Sequence, residues 1–172
     1  MSFHVDAYPR DRQSSLGRGP AAAGAFVKME LAEKTKLLER TLDGLAGRAV
    51  VVEGKHDIRA LREAGVQAKA TAAVGRPERV VEKLKDCGEV FLLFDFDGEG
   101  ERKTRVFREL FEAAGVRVDV LARKRLRQLL GIRTFEELAV KLREFDEKLE
   151  SQNRETREKG IDRKKKIRFS RR

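Results

Sequence analysis

Two short apolar segments that end in carboxylates constrain the fold of this chain most. The first is AVVVEGKHD at Ala49–Asp57 and the second is VFLLFDFDGEGE at Val90–Glu101. Unbroken apolar runs of this length predict strands buried on both faces, as in a parallel sheet covered by helices. Their carboxylates then lie at the carboxyl ends of strands, where open parallel sheets bind ligands. If the two strands are neighbours, one crevice receives four carboxylates, those of Glu53, Asp95, Asp97 and Glu99.

Four clustered carboxylates repel one another unless a cation lies between them. Magnesium suits such a site, because it prefers hard oxygen ligands and completes its shell with water and phosphate oxygens. Asp95 and Asp97 are two residues apart, so they share one face of an extended chain and can turn toward one ion. We expect Gly98 and Gly100 to let the backbone approach closely and to tolerate positive φ.

The same acids also have a purely structural interpretation. Asp and Glu are favoured in the first turn of a helix, so acids that follow a strand can simply cap the next helix. For Asp57 and Glu101 the sequence favours neither this interpretation nor a role as metal ligand. Asp57 is also expected to cap the helix that follows it. The combination of Asp95, Asp97 and Glu53 favours a metal site.

The two motifs, EGKHD at Glu53–Asp57 and DFDGEGE at Asp95–Glu101, resemble those of the Toprim domain found in topoisomerases, bacterial-type primases, some nucleases and recombination mediators. The family pattern is Glu-Gly after the first strand and Asp-x-Asp after a later one. The second motif also matches the longer form of type IA topoisomerases. The resemblance spans residues 47–121 and is strongest to small stand-alone archaeal Toprim proteins, with a further likeness to the bacterial ribonuclease that matures the smallest ribosomal RNA.

The resemblance implies a magnesium-dependent phosphoryl-transfer site. It implies that Glu53 is a general acid or base and that Asp95, Asp97 and in addition Glu99 are metal ligands. The implied catalytic residues are Glu53, Asp95 and Asp97, with Glu53 counted among the ligands as well. His56 is an alternative acid-base group.

The net charge of +10 predicts a polyanionic partner. Residues 123–172 contain 18 Lys or Arg and nine Asp or Glu, so nearly all of the excess lies there. We expect a nucleic acid, RNA rather than DNA by analogy, with the ribosome as a further candidate partner; the alternative is that the basic tail only aids solubility. The residues expected to bind phosphate are Lys55, Arg102, Lys103, Arg105, Arg163, Lys164, Lys165, Lys166 and Arg168.

The successive strand and helix patterns predict a doubly wound α/β fold. Four mainly parallel strands in the order 2-1-3-4 are expected, with right-handed crossovers and helices on the faces. The predicted parts are a disordered tail (1–25), an N-terminal helix (26–46), the Toprim domain (47–121), a helical extension (122–150) and a basic disordered tail (151–172).

Other features exclude classes of protein. No apolar run is long enough for a membrane span and no signal-peptide core follows Met1, so a cytoplasmic protein is expected. Cys87 is the only cysteine, which rules out a disulfide within the chain and the zinc motifs expected of a primase or recombination mediator. Tyr8, the only tyrosine, lies in the tail, which argues against a topoisomerase. Two functions stay open: magnesium-dependent cleavage of RNA phosphodiesters, and non-catalytic RNA binding, free or on the ribosome, with the metal site as a phosphate clamp.

Overall fold

The structure, a computed structural model, describes residues 30–169, and it describes side chains as far as residue 157. The expected disordered tail, with His4 and Tyr8, lies outside the described residues. So do residues 26–29 of the predicted N-terminal helix.

Four strands form one parallel sheet. They are β1 (Ala49–Val52), β2 (Lys69–Ala72), β3 (Glu89–Leu93) and β4 (Arg117–Asp119). Their order is β2-β1-β3-β4 and every neighbouring pair is parallel. The predicted strand order and the doubly wound α/β class are therefore confirmed. Because Val52 pairs with Leu93, the residues that follow β1 and β3 emerge side by side.

Six α-helices and one turn of 3-10 helix accompany the sheet within residues 30–169. They are α1 (Leu31–Asp43), α2 (Lys55–Glu63), α3 (Pro77–Leu84), α4 (Gly98–Ala113), α5 (Leu121–Leu130) and α6 (Leu138–Phe169), with the 3-10 turn at Phe135–Glu137. Helix α5 ends at a glycine, Gly131, whose φ of 72° closes the helix in the left-handed region.

The helices cover both faces of the sheet. Alternate side chains of a strand point to opposite faces, so Val51 and Leu92 pack with α3 and α4, whereas Val50 and Leu93 pack with α1, α2, α5 and α6. All four side chains are fully buried. Burial on both faces explains why the strands have no polar alternation.

The helical extension, residues 122–150, belongs to the core of the second face. Leu126, Ile132, Phe135 and Leu138 are all fully buried against the sheet and its helices. Each such side chain contributes about 1.5–3 kcal/mol relative to leaving it exposed. Residues 122–150 therefore cover the β1 and β3 strands on this face.

The expectation of a disordered segment after residue 150 is wrong for residues 151–169, which continue α6 as helix. Good helix formers dominate the first turns beyond the core. Arg154 Nη2 lies 3.2 Å from Glu150 Oε2, and Ser151 Oγ donates to the Glu147 carbonyl at 2.8 Å. With 32 residues, α6 is about 48 Å long. Residues 170–172 lie outside the described part.

Two further predictions concern membranes and cysteine. Within residues 30–169, every helix is too short or too polar to span a bilayer. Cys87 is a free, half-buried thiol that packs against the core beside α3 and α4.

Candidate active site

The carboxylates predicted to meet do converge at the carboxyl ends of β1 and β3. Glu53 follows β1 directly, and its Oε1 accepts a hydrogen bond at 3.3 Å from the backbone N–H of Asp95, which follows β3. Asp57 lies close by in the first turn of α2, where its side chain is buried. Glu53, Asp57 and Asp97 are all near enough to Asp95 for their charges to act on it. Glu53, Asp95 and Asp97 are therefore close together at the ends of two neighbouring strands.

Asp95 is the most strongly perturbed of these acids. Its Oδ1 accepts a hydrogen bond at 2.8 Å from the backbone N–H of Phe135. Burial raises the pKa of Asp95 to about 6; the Phe135 hydrogen bond opposes that rise, and the three neighbouring carboxylates add to it. The loop after β3 thus carries an acid that is only half ionised near pH 6 when no added cation is near.

Asp57 and Asp97 fasten the loops to the helices that follow them. Asp97 Oδ1 accepts from the Gly100 N–H at 2.7 Å, so Asp97 is the N-cap of α4. Asp57 was predicted to cap the first-turn amides of α2, and this is wrong. Helix α2 already begins at Lys55, and Asp57, in its third position, reaches back to accept from the Gly54 N–H at 2.9 Å. Burial raises the pKa of Asp57 despite that hydrogen bond.

Lys103 places an ammonium group among the acids. Its Nζ lies 2.7 Å from Glu53 Oε2 and 2.8 Å from Glu99 Oε1. Burial alone would lower the pKa of Lys103, but its hydrogen bonds to Glu53 and Glu99 outweigh burial and raise that pKa. The hydrogen bond from Lys103 lowers the pKa of Glu99 in turn. Lys103 was expected to contact phosphate; in this structure it is an internal counter-ion.

The donor set fits magnesium chemically, although its present geometry is not that of a metal site. Among the residues with described side chains, no three acidic, histidine or cysteine groups are arranged to hold an ion. The reason is visible in the contacts, since Glu53, Asp95 and Asp97 each point at a donor of the protein itself. All of the predicted ligands are hard oxygens, and an ammonium already lies between Glu53 and Glu99. Magnesium binding, which requires Glu53 to release Lys103, stays a prediction.

Gly100 is required for the close approach of α4 to the loop after β3. A Cβ atom at this position would overlap the carbonyl group of Asp95. The same prediction for Gly98 is wrong, because a Cβ there would meet nothing within 4 Å. Neither glycine has positive φ, since both already lie in the first turn of α4.

Arg123 supports the site, although it was not among the predicted site residues. Its side chain is 1 % exposed; Nε donates to the Phe94 carbonyl and Nη2 donates to the Asp95 carbonyl. Nη2 also lies 2.9 Å from Glu101 Oε1. A signal was available: Arg123 stands three residues before Leu126, on the apolar stripe of α5, where a charged side chain must be buried and paired.

The other predicted basic residues lie in separate parts of the structure. Lys55 is exposed in the first turn of α2, and Arg102 and Arg105 are exposed in the second and third turns of α4. His56 is exposed too, and its Nδ1 lies 3.3 Å from Glu136 Oε1 beside the 3-10 turn. The remaining five lie on the last turns of α6, where only the backbone is described: Arg163, Lys164, Lys165, Lys166 and Arg168.

Comparison with other proteins supports the fold. The chain is 35 % identical over 101 residues to a UPF0292 protein of Thermococcus onnurineus (strain NA1), and the match covers 57 % of this chain and 76 % of that protein. It also matches the solved structure of a protein from Aquifex aeolicus with a TM-score of 0.51 and 32 % sequence identity, over 63 % of this chain and 97 % of that one. No family model matches the chain. Neither relative's name gives an activity, and the Toprim resemblance stays a prediction.

Proposed function

The chain belongs to the UPF0292 protein family, and we propose that it is a magnesium-dependent, Toprim-type protein that cleaves phosphodiester bonds of RNA. One observation carries this proposal: Glu53 accepts a hydrogen bond from the backbone N–H of Asp95 at the switch point of a parallel sheet, with Asp97 in the same loop and Glu99 in the first turn of α4. This is where open α/β sheets bind their ligands. A cytoplasmic location is part of the same proposal.

The acids and Lys103 have different roles in the proposed cleavage. Asp95, Asp97, Glu53 and Glu99 would hold a magnesium ion, which would supply neutralisation of the phosphate charge and a lowered pKa for bound water. Glu53 moves a proton to or from the attacking or leaving oxygen. Lys103, released from Glu53, stays close enough to pair with a phosphate oxygen through its ammonium group.

Basic residues around the acids align the rest of the substrate. Lys55 and Arg102 are exposed at the starts of α2 and α4, and cations placed there oppose the helix dipole unless an anion lies between. The basic end of α6 adds phosphate contacts further along the RNA. Such contacts supply affinity through counterion release and carry little sequence preference.

A second function is favoured by the Lys103 contacts. Because the Glu53 carboxylate is held in an ion pair by Lys103, Glu53 is not free to move a proton, and a magnesium ion at the acids would only clamp a backbone phosphate. The protein would then be a non-catalytic RNA-binding factor, free or on the ribosome, that clamps one backbone phosphate. Stable binding of RNA without turnover is its signature.

Cleavage assays separate the two functions. Wild type is incubated with total cellular RNA and with DNA, with and without Mg²⁺, beside Glu53→Gln and Asp95→Asn. We expect RNA cleavage that needs Mg²⁺ and falls at least 100-fold in Glu53→Gln, in line with the usual contribution of a general acid or base. RNA binding by Glu53→Gln should stay within about threefold of wild type, a difference of less than 1 kcal/mol.

The matched control is Glu109→Gln, which removes an exposed carboxylate from the fourth turn of α4. It should cleave at the wild-type rate. Full cleavage by Glu53→Gln would exclude the proposed role of Glu53. RNA binding by wild type with no cleavage under any condition would leave the clamp as the function.

A further inference from the structure

We propose that a cleft between the loop after β3 and helix α5 binds a backbone phosphate of the nucleotide next to the one at the acids. The cleft has a volume of about 440 Å³ and is lined by Phe96, Glu101, Arg123, Lys124, Arg127 and Gln128. Small-molecule sites range from about 300 to 1,000 Å³, so a single nucleotide fits. This inference rests on the proposed function for the direction of the RNA strand.

Three polar side chains of α5 are available to a ligand in this cleft. Lys124, Arg127 and Gln128 lie three and four residues apart, so they share one face of the helix. All three are exposed. Among the residues with described side chains, no carboxylate or carbonyl oxygen accepts a hydrogen bond from any of them. The cleft therefore offers two cations and an amide that the described protein groups leave for an acceptor.

The other charges of the cleft are already neutralised. Glu101 is the one carboxylate among the lining residues, and its Oε1 is paired with Arg123 at 2.9 Å. The donors Nε and Nη2 of Arg123 are bound to the carbonyls of Phe94 and Asp95. Lys124 and Arg127 therefore give the cleft an excess of positive charge. This charge favours an anionic phosphate over a neutral ligand.

Arg127 stacks on Phe96, which belongs to the loop that carries Asp95 and Asp97. The carbon of the Arg127 guanidinium lies 4.8 Å from the centroid of the Phe96 ring, and Phe96 stands between Asp95 and Asp97 in the chain. An arginine stacked on an aromatic ring has fewer conformations to lose when it binds phosphate with two parallel hydrogen bonds. Phe96 of the cleft and the acids Asp95 and Asp97 belong to the same four-residue loop, so one RNA strand can occupy both.

Binding of a short RNA tests the inference without requiring cleavage. A fluorescein-labelled single-stranded RNA hexamer is titrated with the full chain in EDTA at several NaCl concentrations, beside the DNA hexamer of the same sequence. We expect Arg127→Gln and Lys124→Gln each to weaken RNA binding by about tenfold, as for the loss of a charged hydrogen bond. Each should reduce the steepness of the logarithmic salt dependence by about 0.7, the value of one phosphate contact on a single strand.

The matched control is Arg125→Gln, which removes the same charge from an exposed position of α5 outside the cleft. It should change affinity by less than twofold. Arg127→Lys should keep the salt dependence and lose part of the affinity, because an ammonium keeps the charge without the planar double hydrogen bond. Competition by inorganic phosphate distinguishes a site for the free ion from a site for a phosphate of the RNA backbone. If inorganic phosphate displaces the hexamer at concentrations comparable to that of the hexamer, the cleft binds the free ion and the nucleotide assignment is overturned.

The outcomes separate this cleft from the proposed cleavage. Binding that depends on Arg127 in a protein that never cleaves RNA supports the cleft and removes the catalytic proposal. Cleavage by wild type, with Arg127→Gln and Arg125→Gln equal in affinity and salt dependence, overturns the cleft and leaves the catalytic proposal in place. Failure of wild type to bind either hexamer overturns the cleft.

Discussion

The loop after β1 and the loop after β3 carry the same kinds of residue but are held in different ways. The backbone of the β1 loop is fastened locally, through the hydrogen bond from the Gly54 N–H to Asp57, and a Cβ on Gly54 would meet nothing within 4 Å. The Glu53 side chain of this loop does reach distant residues, the Asp95 N–H and Lys103. The β3 loop is fastened by distant parts of the chain. Arg123 binds two of its carbonyls, and the Phe135 N–H binds the Asp95 side chain.

This difference shows where the geometry of the acids is decided. Asp95 is positioned by residues 28 and 40 positions further along the chain, outside the segment that resembles the Toprim domain. The carboxyl-terminal helices therefore do more than carry positive charge. They set the position of the acid on which the proposed chemistry depends.

Loss of Arg123 should have the largest effect on the contacts that distinguish the β3 loop from the β1 loop. Arg123→Ala removes a large buried side chain and leaves the Phe94 and Asp95 carbonyls without their donors. We expect the free energy of unfolding to fall by about 4 kcal/mol, from a cavity together with unsatisfied carbonyl groups. Urea unfolding followed by circular dichroism measures the change.

The matched control is Arg125→Ala, an exposed arginine of the same helix. It should stay within about 0.5 kcal/mol of wild type. Equal stability of the two variants would mean that the buried guanidinium contributes nothing to the β3 loop.

A methyl group at Gly100 tests the second constraint on the β3 loop. Gly100→Ala forces α4 and the Asp95 carbonyl apart, and we expect a loss of about 3 kcal/mol, at the upper end for overpacking. Gly98→Ala has open space and should gain up to about 1 kcal/mol, because alanine is the better helix former. Thermal unfolding of the pair gives the comparison; a loss of similar size in both variants would show that the helix start, and not the Asp95 contact, is sensitive.

The sequence was sufficient for the features that depend on local periodicity. Buried strands on both faces leave an unbroken apolar run, so β1 and β3 could be located, and the meeting of Glu53 with Asp95 required β1 and β3 to be neighbours. The capping role of Asp97 was one of the two interpretations left open.

The partners of these acids could not be predicted, because they depend on the tertiary approach of separate segments. Lys103 is four residues from Glu99 along a helix but reaches Glu53 only because β1 lies beside β3. Sequence spacing also gives no reason for the Phe135 N–H to meet Asp95. Charge counts assigned the carboxyl-terminal third to substrate binding, whereas its apolar residues complete the core.

The raised pKa of Asp95 gives a prediction of intermediate size. In the folded protein the pKa is about 6, against an ordinary value of 3.8, so the folded state binds more protons than the unfolded chain between these values. Stability contributed by Asp95 is therefore present at low pH, falls as the pH rises from about 4 to 6, and is lost above that range. With allowance for solvent screening, we expect a loss of about 1 kcal/mol.

Asp95→Asn should remove this dependence, since an amide oxygen can still accept from the Phe135 N–H. The measurement is the difference in unfolding free energy between wild type and Asp95→Asn in EDTA at pH 4, 5, 6 and 7. Asp146→Asn, at an exposed position of α6, is the control for loss of a carboxylate. A constant difference between wild type and Asp95→Asn across this range would contradict the raised pKa.

Removal of the end of α6 is expected to have the smallest effect on stability. This truncation tests how much of the carboxyl-terminal third is needed to hold the β3 loop. Core contacts of α6 end with Phe145 and the half-buried Leu149, and residues 151–157 are exposed. A chain that ends after Glu150 should unfold within about 0.5 kcal/mol of wild type. It should bind RNA more weakly, with a shallower salt dependence, because it loses phosphate contacts. A large loss of stability in the shortened chain would show that residues after Glu150 also help to hold the β3 loop. Unchanged RNA affinity would show that the basic end only aids solubility.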